Sequence, residues 1–299
     1  MTIFSRRFKK NLGRNVFILS GLIPVAIWVV LFAAYPMVIA MIRGFTNWSL
    51  ASNRIDFIGL TNFLRMPDDR VFLIALKNTI MAVVIVTPLT VLLALLAATA
   101  FNTVPNLTRQ MFTPIYFLPS VVSMVAIASV WRWLYHSSFG LINYFFGFFG
   151  ISPQPFLRDP AQALPSVLAM MIWGGIGYFA VILLAAIKSI PKVFYEAAIV
   201  DGANGFQKFI FITVPLLTPS ILFTSIMSVI GTFQVFVPIS VMTGGGPGDA
   251  SMVLGLYIYR VAINRLEMGY ATAISMVLFV IIMAITVLQW KFVRSDWEY

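Results

Sequence analysis

Charged residues in this chain fall in clusters, and the neutral intervals between the clusters set its architecture. Six intervals, Asn15–Ile42, Asn78–Thr108, Gln110–Trp131, Pro160–Ile187, Phe209–Gly248 and Met268–Trp290, contain no Asp, Glu, Lys or Arg and are rich in Leu, Ile, Val, Phe and Ala. A helix rises about 1.5 Å per residue, so roughly 20 mostly apolar residues cross the hydrocarbon of a bilayer. Backbone in hydrocarbon must satisfy its own hydrogen bonds, so each interval is expected to be a helix. The pattern predicts an all-α membrane protein with six transmembrane helices.

A seventh neutral interval, Trp133–Leu157, is broken by Ser137, Ser138, Gly140, Asn143, Ser152, Pro153, Gln154 and Pro155. Its apolar part, Leu141–Ile151, is too short to span and suits an interfacial or re-entrant segment, with Phe145, Phe146, Phe148 and Phe149 at headgroup level. Composition agrees with lipid as the solvent: 60% of the 299 residues are hydrophobic and 10% are charged. The net charge of +10 does not point to nucleic acid, because Arg6, Arg7, Lys9, Lys10 and Arg14 directly precede the first apolar run. That placement is an orientation signal and predicts a cytoplasmic N-terminus followed by an uncleaved anchor helix. Lys291 and Arg294 agree with it.

The 35-residue stretch Arg43–Lys77, carrying Asn47, Trp48, Asp56 and Asn62, reads as a folded external loop, with Pro67 and Asp68–Asp69 as a turn leading into a helix N-terminus. Asn102, Pro105 and Asn106 form a short link, so the second and third spans are expected to pack antiparallel. Pro24, Pro36, Pro88, Pro114, Pro119, Pro215, Pro219 and Pro238 each remove a backbone hydrogen bond and predict kinks. Gly174, Gly175 and Gly177 permit close helix approach, although transmembrane helices also tolerate Gly and Pro without special purpose.

Catalytic chemistry is not visible. All ten acidic residues lie in loops or at span edges, there is no cysteine, and the one histidine, His136, sits beside an aromatic cluster at a membrane edge as an ordinary interfacial residue. The candidate metal-ligand set is empty. No Gly-x-x-x-x-Gly-Lys-[Ser/Thr] loop is present to bind a nucleotide. The six spans hold no ionisable acid or base of the kind ion-coupled carriers place in the membrane, so a transporter of this sequence needs an external source of energy.

The loop Lys188–Lys208, KSIPKVFYEAAIVDGANGFQK, reads as a helical hairpin. Pro191 opens a short helix to Val200, Asp201 to Gly205 turn, and a second helix leads to Pro215. Ala197, Ala198 and Ala203 leave an uncluttered surface near the turn, and Glu196 and Asp201 are its acids. For an arbitrary loop, a solvated interfacial helix would be the plain reading. The residues Glu196-Ala197-Ala198-x-x-Asp201-Gly202-Ala203, followed by Phe209, Ile212, Pro215 and Pro219, closely resemble the EAA loop of binding-protein-dependent ABC importer permeases. MTGGGPGDAS at Met242–Ser251, LYIYRVAI at Leu256–Ile263, MGYATAIS at Met268–Ser275, FIGLTNF at Phe57–Phe63 and WRWLYHSSFGLIN at Trp131–Asn143 resemble the carbohydrate-uptake branch.

The resemblance implies a type I importer (MetI-like) permease fold with a five-helix core and one added N-terminal helix. Residues 1–70 would hold the basic N-terminus, first span and external loop, and residues 71–299 the core, with the coupling loop at 188–215. It implies a prokaryotic inner-membrane location and four kinds of partner: a second homologous permease, two cytoplasmic ATPase subunits, a solute-binding protein outside, and lipid. ATP and Mg would be bound by the ATPases, with no cofactor in this chain and no enzymatic activity of its own. Glu196, Ala197, Ala198, Asp201, Gly202, Ala203 and Pro215 would couple to the ATPase, and Gly244, Gly245, Gly246 and Pro247 would meet the binding protein or provide backbone flexibility.

The implied solute is a sugar, oligosaccharide or polyol phosphate. Sugars present hydroxyls and apolar ring faces, so Trp173, Tyr178, Phe233, Gln234 and Phe236 are candidates for the pathway, with Trp131 and Trp133 nearer the outside. Aromatic side chains in spans also pack between helices or anchor at interfaces, and both readings stand at this point. Val237-Pro238 departs from relatives that carry an acidic or amide residue there, so no polar solute contact is carried over to it. The alternative to an ABC permease is a secondary carrier or channel for a small neutral solute.

Overall fold

The computed structural model describes residues 18–52, 54–105, 114 and 116–292. The basic cluster Arg6–Arg14, Asn106, Arg109 and Arg294 lie outside them. The described chain is helical without strands, apart from one isolated antiparallel bridge between Thr46 and Phe57. Its helices are α1 (Ile18–Arg43), α2 (Thr61–Arg65), α3 (Arg70–Thr103), α4 (Met124–Leu134), α5 (Leu141–Phe148), α6 (Ala163–Ser189) and α7 (Lys192–Val200). They continue with α8 (Gly205–Leu216) and α9 (Thr218–Phe233), then α10 (Val237–Met242), α11 (Leu254–Tyr259) and α12 (Met268–Phe292). Residues 116–121 are also helical.

Among the described residues, α1, α3, α6 and α12 are each long and apolar enough to cross a membrane, and α8 with α9 make a fifth crossing if the bent pair counts as one. The remaining expected span, Gln110–Trp131, begins outside the described residues, and its described part is helical at 116–121 and again from Met124. Leu141–Ile151 does not cross: α5 has 8 residues, about 12 Å of helix, with Phe145, Phe148 and Phe149 exposed.

The chain divides into two compact units, 1–64 with 261–276 and 65–260 with 277–299. In the first, α1 buries none of its most apolar window, so its side chains are left to lipid. A π-turn at Val30–Ala34 precedes Pro36 and relieves the ring's clash with the preceding turn. The loop after α1 is folded by polar side chains. Asn62, itself buried, donates to the carbonyls of Gly44 at 2.9 Å and Thr46 at 3.0 Å. The Gly269 N–H donates to the Trp48 carbonyl at 2.7 Å.

The second unit is built on α3 against α6. The buried positions of α3 recur at helical spacing through Ala75, Ala82, Val86, Thr90, Ala94 and Ala98, and the small residues let the backbones approach. Asp69 caps α3, its Oδ1 accepting from the N–H groups of Val71 at 3.0 Å and Phe72 at 3.2 Å, as the acidic pair before the span predicts. The segment 234–254 is tied to α3 by side chains that satisfy its backbone: Asn78 Nδ2 donates to the carbonyls of Ala250 and Met252 at 2.9 Å each, and Thr79 Oγ1 accepts from the Leu254 N–H at 2.9 Å.

The fifth expected span, Phe209–Gly248, is not one helix. α8 and α9 meet at 70°, because Pro219 lacks the N–H that would bond the carbonyl of Pro215 and its ring crowds that turn. A π-turn at Phe209–Thr213 similarly precedes Pro215. α9 then ends at Phe233, and Gln234–Phe236 are non-helical.

Gly177 of α6 lies so close to the Tyr116 carbonyl that a Cβ there would stand 1.8 Å from its oxygen, whereas a Cβ on Gly174 meets nothing within 4 Å. Gly177→Ala should therefore destabilise the purified chain by about 1–3 kcal/mol through overpacking. Gly174→Ala should be neutral or slightly stabilising, with both read as shifts in the thermal midpoint in detergent.

Candidate functional site

The hairpin between α6 and α9 is built by local backbone chemistry. α7 ends in a Schellman motif: Gly202, at φ +76°, occupies the left-handed position a side chain would disfavour, its N–H reaching the Ile199 carbonyl at 3.0 Å. The Ala203 N–H reaches the Ala198 carbonyl at 2.8 Å. A capping box then starts α8, with Asn204 Oδ1 accepting from the Gln207 N–H at 2.9 Å and Gln207 Oε1 accepting from the Asn204 N–H at 2.8 Å. Tyr195 Oη lies 3.0 Å from Thr213 Oγ1 and joins the two arms.

The hairpin has an anchored side and an open side. On the anchored side, Tyr195, Phe209, Val214 and Leu216 pack against Ala94, Leu95 and Ala98 of α3, Leu183, Leu184 and Ile187 of α6, and Leu217 at the bend. On the open side, Val193, Ile199, Val200 and Phe206 are exposed, Val200 at 87%. Glu196, Ala197, Asp201 and Gly202 are exposed with them, Ala203 is half-buried, and Pro215 is exposed on α8. Ala198 is buried, so it is not part of an uncluttered outer surface. Its small side chain faces inward, and its carbonyl closes the turn.

A cavity of about 550 Å³ opens beside α3, α6 and α9. Tyr178, Gln234 and Phe236 line it, together with Val237 and Pro238 at the break after α9. Trp173 and Phe233 are not on its wall: Trp173 packs on Trp131 at 5.4 Å between ring centroids, and Phe233 is fully buried. The sequence reading missed Thr90, Ser120, Ser228 and Thr232, the methionines Met124, Met170, Met171 and Met227, and the open floor at Gly174 and Gly231. A signal for part of this set exists in the hydroxyls at positions 224, 228 and 232, which share one helix face at four-residue spacing. Ser228 Oγ donates to Thr87 Oγ1 at 3.2 Å, while the buried Thr90 Oγ1 has no partner. No described lining residue is charged.

The Gly244–Gly248 loop is pinned rather than loose. Ser251 Oγ reaches Thr243 Oγ1 at 2.8 Å and the Gly246 carbonyl at 2.6 Å, the Arg260 guanidinium donates to the Gly244 carbonyl and pairs with Asp249 at 3.3 Å, and a Cβ on Gly245 would meet the Met252 side chain at 2.6 Å. Gly244, Gly245 and Gly248 hold positive φ, and Gly245 also lies in close approach to Met252. Among the described residues, no group of three or more His, Asp or Glu is placed to hold a metal ion.

Apolar spanning helices around an uncharged cavity, with a bent helix pair ending in an exposed hairpin, define a membrane permease. The chain belongs to the family described as binding-protein-dependent transport system inner membrane component, whose profile matches residues 90–290. It is 30% identical over 289 residues to the sulfoquinovosyl glycerol transport system permease protein SmoG of Agrobacterium fabrum, covering 95% of this chain and 92% of that one. It is 33% identical over 286 residues to the diacetylchitobiose uptake system permease protein NgcF of Streptomyces coelicolor, covering 91% and 81%. Its fold is similar to a chain of a bacterial alginate ABC transporter solved in complex with an alginate pentasaccharide-bound periplasmic protein, at a TM-score of 0.84, 25% identity and coverage of 96% and 97%. The chain is a permease subunit of a binding-protein-dependent ABC importer.

Gly231 lines the cavity and a Cβ there meets nothing within 4 Å. Gly231→Phe should fill the cavity and lower uptake about tenfold or more, the equivalent of 1.4 kcal/mol or more, with unchanged amounts of protein in the membrane, measured by radiolabelled solute uptake into proteoliposomes.

Proposed function

We propose that this permease carries a sugar or oligosaccharide through the 550 Å³ cavity, driven by ATPases that grip the hairpin of residues 188–215. The observation that carries the reading is the pairing of an uncharged, hydroxyl- and aromatic-bearing cavity with a hairpin anchored by its core side to the same two helices, α3 and α6. Such a wall suits a solute whose polar groups are hydroxyls and whose ring faces are apolar. The relatives named for sulfoquinovosyl glycerol and diacetylchitobiose support a carbohydrate.

In this reading Glu196, Ala197, Asp201, Gly202 and Ala203 enter a groove on a cytoplasmic ATPase subunit, with Val193, Ile199, Val200 and Phe206 giving the contact its apolar area. Ala198 holds the shape of the hairpin from within, and Pro215 shapes α8 from its exposed side. ATP and Mg belong to two such ATPases, and this chain has no catalytic role. A second homologous permease completes the pathway, the N-terminus is cytoplasmic, and the pinned loop Gly244, Gly245, Gly246 and Pro247 faces the binding protein. Movement of the hairpin shifts α3 against α6 and α9, turning the cavity from one side of the membrane to the other. A carrier coupled to an ion gradient is disfavoured by the absence of charge on the cavity wall.

Gly202→Val places a β-branched residue at positive φ, which costs about 1–2 kcal/mol, and Glu196→Trp adds bulk on the open side. Each should reduce ATP-driven uptake at least about tenfold or release the ATPases during purification, while the chain remains inserted. Normal uptake by both variants would sink the assignment of this hairpin.

A further inference from the structure

A second cavity, of about 220 Å³, lies at the other end of α6 and has the opposite chemistry. Arg132, Tyr135, His136, Ser137, Arg158 and Thr243 supply its polar wall. Arg132 comes from the last turn of α4, Arg158 from the 3₁₀ turn Phe156–Arg158, and Thr243 from the start of the pinned glycine loop. Both arginines are exposed, and neither is ion-paired to a described residue; Arg132 makes one long contact, 3.4 Å to the Val241 carbonyl. Among the described residues no carboxylate lines the cavity.

Its neutral groups are also donors. His136 Nδ1 accepts from the Ser138 N–H at 3.2 Å, which leaves Nε2 as the hydrogen-bearing nitrogen, and the ring is held by stacking on Phe139 at 3.5 Å. Burial pushes the Tyr135 phenol up to about 12, so it keeps its proton. Thr243 Oγ1 is occupied, accepting from Gly245 N–H at 3.1 Å and Ser251 Oγ at 2.8 Å. A small cavity with two guanidiniums, an imidazole N–H and a phenol, and no acceptor of equal strength, is built for an anion with several acceptor oxygens.

We propose that Arg132, His136 and Arg158 form a carboxylate pocket that receives an acidic side chain of the solute-binding protein. The proposal rests on the importer reading for its sidedness. α6 is 27 residues long, about 40 Å, so a cavity at its N-terminal end faces outside when the hairpin at its C-terminal end meets the ATPase. The occupant follows from charge complementarity and position: the wall continues into the glycine loop through Met242 and Thr243, while the solute's own cavity carries no charge to pass an anion onward. Exposed charge pairs of this kind steer association and set partner choice.

The test uses the complete transporter with its ATPases in proteoliposomes, titrated with its solute-binding protein. Arg132→Gln and Arg158→Gln should each raise the binding-protein concentration for half-maximal ATPase stimulation several-fold, and the double variant about tenfold or more. The dependence on NaCl should flatten, the rate at saturating binding protein should be kept, and Arg158→Lys should recover part of the loss. An acidic-to-lysine change on the binding protein should restore affinity to Arg158→Glu. Unchanged titration and salt dependence in the double variant would overturn the pocket. A loss seen only with anionic solutes, at saturating binding protein, would assign it to the solute instead. Wild-type transporter that its binding protein does not stimulate would overturn the importer reading, and the assignment of the pocket to that partner with it.

Discussion

The structure depends on one constraint: a peptide group in hydrocarbon has no water to bond, so each break in a helix has to be satisfied by protein or placed on a cavity. The breaks obey it. Gln234–Phe236, where α9 stops, lies on the wall of the 550 Å³ cavity, and the Val235 carbonyl sits against Gly255, where a Cβ would come within 2.5 Å of it. The irregular stretch that follows is bonded by Asn78 and Thr79 of α3 and by Ser251 and Arg260 within itself. The bend at Leu217 is buried in the core shared by α3 and α6. Irregular backbone is thereby concentrated where the protein needs shape, at the cavity and at the hairpin.

The same arrangement gives the hairpin mechanical meaning. Its turn is closed by backbone bonds at Ala198, Ile199 and Gly202, its arms are joined by Tyr195 and Thr213, and its apolar base is embedded between α3 and α6. In the proposed coupling, a force on the exposed side has little to deform within the hairpin and is passed to the helices. α3 and α6 approach most closely where residues are small, at Ala94 and Ala98 of α3 and Gly175 of α6, and Thr87 of α3 bonds Ser228 of α9.

Much of this was legible in the sequence because lipid punishes charge so severely. The bounds of α6, Ala163–Ser189, differ by only a few residues from the neutral interval 160–187, and α12 nearly coincides with its own. The Pro67 and Asp69 signals placed the start of α3, and the glycine at 202 placed the turn. Charge gaps failed where non-helical backbone is itself uncharged. Charge does not separate α9 from the break at Gln234, since Phe209–Gly248 stays uncharged throughout. Aromatic chemistry was an uneven guide to the cavity: Tyr178, Gln234 and Phe236 line it, but Trp173 and Phe233, alike in composition, turn to other helices. The direction of a side chain depends on helix phase and on neighbours distant in sequence, and the methionines and hydroxyls that line the cavity look like ordinary filling until the helices are assembled.

Charge is divided along the second unit in a way that fits its energetics. A guanidinium at the centre of a bilayer costs several kcal/mol unless it is paired or reaches water, and a solute path lined with such groups would also hold its cargo too tightly to release it. The cavity instead offers weak, distributed contacts: methionine, which adapts its shape, hydroxyls, one amide and one phenol. Arg132 sits in the last turn of α4, Arg158 in the 3₁₀ turn before α6 and Arg260 at the end of α11, at the ends of the apolar helices and not within them. No described residue on the cavity wall is charged, and under the proposed function selectivity for charge is made at the surfaces where proteins meet. Under the proposed function, an uncharged cavity with weak, distributed contacts is compatible with a specific transporter when recognition of cargo is made before the cargo arrives.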